Sequence, residues 1–208
     1  KAGHGTVTIG SIEKYITDSA WKNNWVKPIK VKYELESSIG IIGAGPAGLS
    51  AAEMLRIKGY QVTVYDRYDR IGGLLIYGIP NFKLEKEIVI RRTKRLIKGG
   101  IKFKLNCNIG KDISFSEVRK NHDAVLIATG TYQAKKTGIM GGEFENIIPA
   151  LQYLTASNKN GLGETVEEFI SGKLNAKNKN VVVIGCGDTA MDCVRTAVRQ
   201  KASSVKCL

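Results

Sequence analysis

Three glycines and one acid carry the first chemistry legible in this chain. Gly43, Gly45 and Gly48 stand in the order G-x-G-x-x-G, and Asp66 follows 23 positions after the first of them. Glycines at that spacing suit a turn that holds a phosphate. Gly43 can take a dihedral that a Cβ would resist. Gly45 lets the backbone approach a pyrophosphate, and Gly48 lets a helix pack close to a strand. Pro46 fits the first helical turn, where its missing N–H would have had no acceptor. The free N–H groups and the dipole at that end favour an anion. Asp66 is placed to accept hydrogen bonds from a ribose diol. The bland alternative is a tight structural turn, and the surrounding pattern argues against it.

A second set lies 142 residues on, in Gly185-Cys186-Gly187-Asp188-Thr189-Ala190. Alanine in the third glycine position is an accepted variant. Cys186 and Cys193 lack the C-x-x-C spacing of a redox pair, so Cys186 is read as offering only its backbone to phosphates. Two such turns suggest two dinucleotides face to face, which hydride exchange between a flavin and a nicotinamide needs. No side chain reads as a catalytic acid, base or nucleophile.

Between the turns lies a run that is glycine-rich and apolar, residues 72–80, containing Gly73 and Leu74. Loops are usually polar because their backbone groups need water. An apolar loop just after a nucleotide-binding strand is explained if it covers a large flat ligand such as a flavin; burial under another domain is the alternative. Lys83 could supply a cation for the pyrophosphate. Thr129-Gly130, at the end of a strand, allows close backbone contact with a bound cofactor.

These residues need elements to hold them. Ile39-Gly40-Ile41-Ile42 reads as a buried parallel strand, followed by a helix to about Lys58 and a strand over 61–65. A helix over 84–98, with Leu84, Ile88, Leu96 and Ile97 facing the core, ends at Gly99-Gly100. A strand follows over 101–105. Ser114 or Ser116 caps a short helix, and 123–128 forms the next strand. Residues 149–156 and 165–170 read as helices, 181–184 and 204–208 as strands. Ahead of the first turn, Ile12, Tyr15, Ile16 and Ala20 suggest an amphipathic helix capped by Ser11. Trp21 and Trp25 are expected to pack on a neighbouring domain, and His4 to be a loop residue. The fold class is α/β with two Rossmann-like dinucleotide-binding domains. Residues 1–36 form a helical linker, 37–146 the flavin domain and 147–208 an incomplete nicotinamide domain.

Composition narrows the class. The 208 residues carry a net charge of +13, but their 32 lysines and arginines are spread along the chain among 19 acids, and aromatics make up only 7%. The densest run, Arg91-Arg92-Thr93-Lys94-Arg95, reads as the solvated face of a helix, which argues against nucleic acid. Four cysteines without C-x-x-C or metal-ligand spacing fit a reducing cytoplasm and argue against a thiol-passing disulfide reductase. No apolar stretch is long enough for a membrane span. The chain opens on Lys1 and closes on what reads as a strand interior, so a piece of a longer protein is expected.

The runs GIIGAGPAGLSAAEML, IGGLLIYGIPNFKLEKE and VVVIGCGDTAMDC resemble the small (beta) subunit of bacterial glutamate synthase. TVTIGSIEKYITDSAWKNNWVKP is similar to that subunit's linker between its iron–sulfur segment and flavin domain. GGLLIYGIP followed by KL is the most specific part, and it occurs more loosely in dihydropyrimidine dehydrogenase and in ferredoxin:NADP oxidoreductases. The resemblance implies an NADPH-dependent oxidoreductase with FAD at the first site and NADPH at the second. Gly43, Ala44, Gly45, Pro46 and Ala47 would hold the FAD pyrophosphate, Asp66 its ribose, and Gly73, Leu74 and Lys83 the flavin side. Ile109 would contact the adenine and Gly130 would lie beside the cofactor. Cys186, Gly187, Asp188 and Thr189 would cradle the NADPH phosphates. Electrons would pass through 4Fe-4S clusters to a large subunit that makes glutamate from glutamine and 2-oxoglutarate. Residues 1–36 hold no cysteine, so a cluster belongs to the full-length protein and not to this chain. The residues that separate NAD from NADP are expected beyond Leu208, and weak FAD retention is expected of this polypeptide alone.

Overall fold

A computed structural model describes residues 8–134, 138 and 144–208; His4 lies outside them. Four strands, β1 (Ser38–Ile42), β2 (Gln61–Tyr65), β3 (Lys102–Lys104) and β4 (Ala124–Ile127), form one sheet in the order β3-β2-β1-β4. All three pairings are parallel. Parallel neighbours need crossovers, and the first is α2 (Pro46–Ile57) between β1 and β2. The chain then runs through α3 (Leu74–Tyr77) and α4 (Lys86–Lys98) to β3, and through α5 (Phe115–Lys120) to β4. A second sheet pairs β5 (Asn180–Val183) in parallel with β6 (Ser204–Cys207), joined by α8 (Asp188–Arg199). Two further helices, α6 (Ala150–Gly161) and α7 (Glu167–Ile170), lie between the sheets in sequence, and α1 (Ile9–Lys22) precedes them all.

The main core lies where α2 and α4 cover β1 and β2. Ile41, Leu49, Ala52, Val64 and Leu96 are fully buried there. At roughly 1.5–3 kcal/mol for each large apolar side chain, this cluster anchors the first glycine turn. A smaller cluster of Ile76, Tyr77 and Val89 fixes the apolar segment. By contrast, β5 carries an exposed Val182 and the residue after it, Ile184, is 63% exposed.

Several expectations change. Ser11 lies inside α1, whose N-cap is Thr8. The apolar stripe Ile9, Ile12, Tyr15 and Ile16 of that helix is exposed, as is Trp25, while Trp21 sits half-buried under the Arg91 guanidinium. The α4 helix starts at Lys86, and Val89, Thr93 and Leu96 face inward, whereas Ile97 is half-exposed. Its basic run is more than a solvated face. Arg91 pairs with Asp18 of α1 at 2.7 Å, and Arg92 and Arg95 both pair with Glu53 of α2. Charge spacing alone could not foresee acids brought in from other helices. Ser114 does cap α5, accepting a hydrogen bond from the Glu117 N–H at 3.0 Å.

Candidate functional site

The two glycine turns have nearly the same backbone. Gly43 sits at φ +113° and Gly185 at +131°, a region open to glycine. Each follows its strand and donates its N–H to the chain end of the neighbouring strand, Gly43 to Tyr65 O and Gly185 to Leu208 O, both at 2.8 Å. Gly45 and Gly187 are then the extended N-caps of α2 and α8. A Cβ added to either would meet open space. That freedom is what a backbone cradle for a phosphate requires, and the first-turn N–H groups of each helix lack intrahelical acceptors. Pro46 occupies the first position of α2, with Ala47 and Gly48 behind it. At the second turn Cys186, Gly187, Asp188 and Thr189 are all exposed.

Asp66 directly follows β2, with its carboxylate turned back on the first turn. Its Oδ2 accepts from the Ala44 N–H at 2.6 Å and its Oδ1 from the Tyr68 N–H at 2.9 Å. Each oxygen keeps lone-pair capacity, so the acid fixes the turn and still faces a cleft. That cleft, about 290 Å³, is lined by Gly43, Asp66, Arg67, Tyr68, Ile109 and Gly130, among others. Ile109 reaches it because the Asn106 and Cys107 N–H groups bond to Tyr68 O and Asp66 O, both at 2.9 Å. Asp66, Ile109 and Gly130, far apart in sequence, therefore share one cleft. Sequence reasoning missed its aromatic wall. The Arg67 guanidinium lies 4.5 Å from the Tyr132 ring centroid and 5.0 Å from that of Tyr68. Burial raises the Tyr132 hydroxyl above its usual range.

The apolar segment comes to the same turn. Gly72 donates its N–H to Ala44 O at 2.9 Å. A Cβ on Gly73 would lie 2.8 Å from the Gly45 Cα. Leu74 opens α3 and is partly exposed. The segment, expected as a loop, is thus one helical turn laid against the cradle. Lys83 is drawn elsewhere: its Nζ lies 3.2 and 3.3 Å from the two carboxylate oxygens of Asp192 on α8. The cation buried against this segment is Lys86, which donates to Leu75 O at 3.1 Å and to Ile79 O. Burial pulls its ammonium down to about 8. Lys86 carried no sequence signal apart from its place three residues after Lys83.

Among the described residues, the arrangement brings together two glycine turns that each open a helix and a cleft beside the first of them. Residues 37–207 match the family described as pyridine nucleotide-disulphide oxidoreductase. The chain is 60% identical over 205 residues to the glutamate synthase [NADPH] small chain of Azospirillum brasilense, covering 99% of this chain and 42% of that one. It is 45% identical over 199 residues to glutamate synthase [NADH] of Saccharomyces cerevisiae, covering 96% of this chain and 9% of that one. Among solved structures, Mycobacterium tuberculosis FprA in complex with NADPH matches with a TM-score of 0.66 at 19% identity, over 82% of this chain and 42% of that chain. The last is a likeness of fold. The chain spans half or less of the length of the curated relatives it matches.

Proposed function

The chain belongs to the pyridine nucleotide-disulphide oxidoreductase family, and from its identity to glutamate synthase small chains we propose that it is the dinucleotide-binding part of such a subunit. In this reading the first turn holds FAD, the second holds NADPH, and the boundary between the two units falls near residue 147. Bound together, the two cofactors supply two-electron transfer; the protein supplies placement.

The residues fit such a pair. At the first turn, Gly45 leaves its open face for a pyrophosphate, and α2 brings no acid to its first turn to oppose one. Asp66 takes the ribose, Ile109 and Gly130 the adenosine side, and Gly73 and Leu74 the flavin side. At the second turn, the exposed backbone of residues 186–189 takes the phosphates. In the complete protein, 4Fe-4S clusters would supply an electron path to a large subunit that would form glutamate from glutamine and 2-oxoglutarate in the cytoplasm. Among the described residues no helix is long and apolar enough to cross a membrane.

The observation that carries the proposal is 60% identity across 99% of the chain to a glutamate synthase small chain. The test is expression of the complete protein with and without the large subunit. Bound FAD, NADPH oxidation with an artificial acceptor, and glutamate formation only in the presence of the large subunit are expected. FAD binding and NADPH oxidation with no gain from the large subunit would move the module to another acceptor. A second reading concerns the donor, because the yeast relative is named for NADH. Comparing oxidation of NADH and NADPH by the same preparation decides it.

A further inference from the structure

The helix α8 does more than begin at a glycine turn. Asp192, Arg195 and Arg199 stand at i, i+3 and i+7, one face of a helix. That face grips two consecutive residues of the first half of the chain. The Lys83 ammonium pairs with both Asp192 oxygens. The Phe82 ring lies under two guanidinium groups, 4.6 Å from Arg195 and 3.8 Å from Arg199. The Asp192 side chain is only 10% exposed, so its charge needs a partner.

From Lys83 the contacts continue without a gap to the other turn. The Lys83 N–H bonds to Pro80 O at 2.9 Å, and Asn81 Oδ1 accepts from the Lys86 N–H at 3.1 Å. Lys86 pins the carbonyls of Leu75 and Ile79. Two residues before Leu75, Gly73 abuts Gly45. In the other direction Asp192 stands one helical turn from Asp188, at the second cradle. Packed side chains and hydrogen bonds of this kind can carry coupling between two sites.

We propose that the Asp192, Arg195 and Arg199 face of α8 docks residues 72–83 and so fixes the spacing of the two nucleotide turns, with Asp192 as the positioning residue for Lys83. Its consequence for electron transfer rests on the function proposed above; the docking itself does not. The test uses the complete protein and the variants Lys83→Met and Asp192→Asn. Lys83 is partly exposed, so the Met variant is expected to fold. In urea unfolding without added cofactor, the double variant should be no less stable than Asp192→Asn alone, whereas additive losses would overturn the docking. In rapid mixing with NADPH, either substitution should slow the limiting rate of flavin reduction about tenfold with the half-saturating NADPH unchanged, and Asp192→Glu should restore part of it. If the cycle shows the coupling but the limiting rate is unchanged in both single variants, the positioning role is overturned. If the unsubstituted protein shows the coupling but no flavin reduction at all, the functional reading fails and the docking stands.

Discussion

Where the two turns part is their third small residue. A Cβ on Gly48 would overlap the Gly43 carbonyl oxygen, so α2 lies directly on its strand. Ala190 carries a Cβ in the corresponding place, at an ordinary 3.6 Å from where a Cβ on Gly185 would stand. The first turn is also tied by Asp66 to the Ala44 N–H and covered by Gly72 and Gly73. The second is exposed from Cys186 to Thr189, and Asp188 places a carboxylate in the first turn of α8 where α2 has none. One backbone geometry thus serves two surroundings. If each turn takes a phosphate, the covered one, whose helix brings no acid of its own, suits a resident dinucleotide, and the open one with a competing charge at the helix start suits a nucleotide that comes and goes.

The largest break in that contrast comes from exchanging the third residues. Gly48→Ala forces a Cβ into a backbone carbonyl and should cost about 3 kcal/mol or more, since neither the strand nor the turn can retreat. Ala190→Gly removes a methyl and adds backbone freedom, and should cost only about 1 kcal/mol. Urea midpoints of the two variants measure both. Equal losses would mean that the two helices sit on their strands alike.

Asp66→Ala comes next. It strips the Ala44 and Tyr68 N–H groups of their acceptor, and Ala44 is fully buried. Orphaned buried donors should cost about 2 kcal/mol. The same substitution should raise the FAD dissociation constant, read by flavin fluorescence. A stable Asp66→Ala protein with unchanged FAD affinity would show that the turn holds itself and that the acid faces no ribose.

How much of this was legible beforehand follows the range of each signal. Both turns, the strand–helix–strand order around them and the Ser114 cap are local patterns, and they appear where spacing placed them. The gathering of Asp66, Ile109 and Gly130 around one cleft needed the fold, although the resemblance had assigned all three to one cofactor. Lys83 illustrates the limit. A lysine just after an apolar segment says that a cation is present, but Asp192, 109 residues away, decides where it points. The exposed stripe of α1 fails for the opposite reason: helical spacing identifies an apolar face without saying what covers it.

A smaller effect separates the units by pH. The His122 ring packs on Gly40 in the strand that leads to the first turn, and its Nε2 bonds with the Tyr65 hydroxyl at 2.9 Å. Its Nδ1 is buried and has no hydrogen-bond partner among the described residues. Burial, with Lys104 nearby, lowers the affinity of the ring for a proton below its usual range. The unfolded chain then takes up the proton first as pH falls, so stability present above the ordinary histidine value is lost on descending through it toward the folded value. The loss should stay under about 1 kcal/mol because the ring is partly screened by solvent. His122→Gln should flatten this part of the profile, and an unaltered profile would remove His122 as its source.

The gentlest test changes no residue. Each site contains its own thiol: Cys107 lines the cleft at the first turn, and Cys186 stands in the second. Burial and the nearby Asp112 raise the Cys107 thiol, while Cys193, buried in α8, is pushed up to about 11 and should stay inert. Cys207 is exposed, and its Sγ donates to Gly185 O at 3.2 Å, so it reports on the second turn together with Cys186. Iodoacetamide labelling followed by peptide mass spectrometry reads each thiol separately. NADPH at ten times its dissociation constant should slow labelling of Cys186 about tenfold, because only the free fraction reacts. Cys107 should respond to FAD instead. If NADPH protected Cys107 and left Cys186 untouched, the assignment of the two nucleotides would have to be exchanged. If FAD protected neither thiol in a protein that retains it, the cleft beside Asp66 would not be where its adenosine lies.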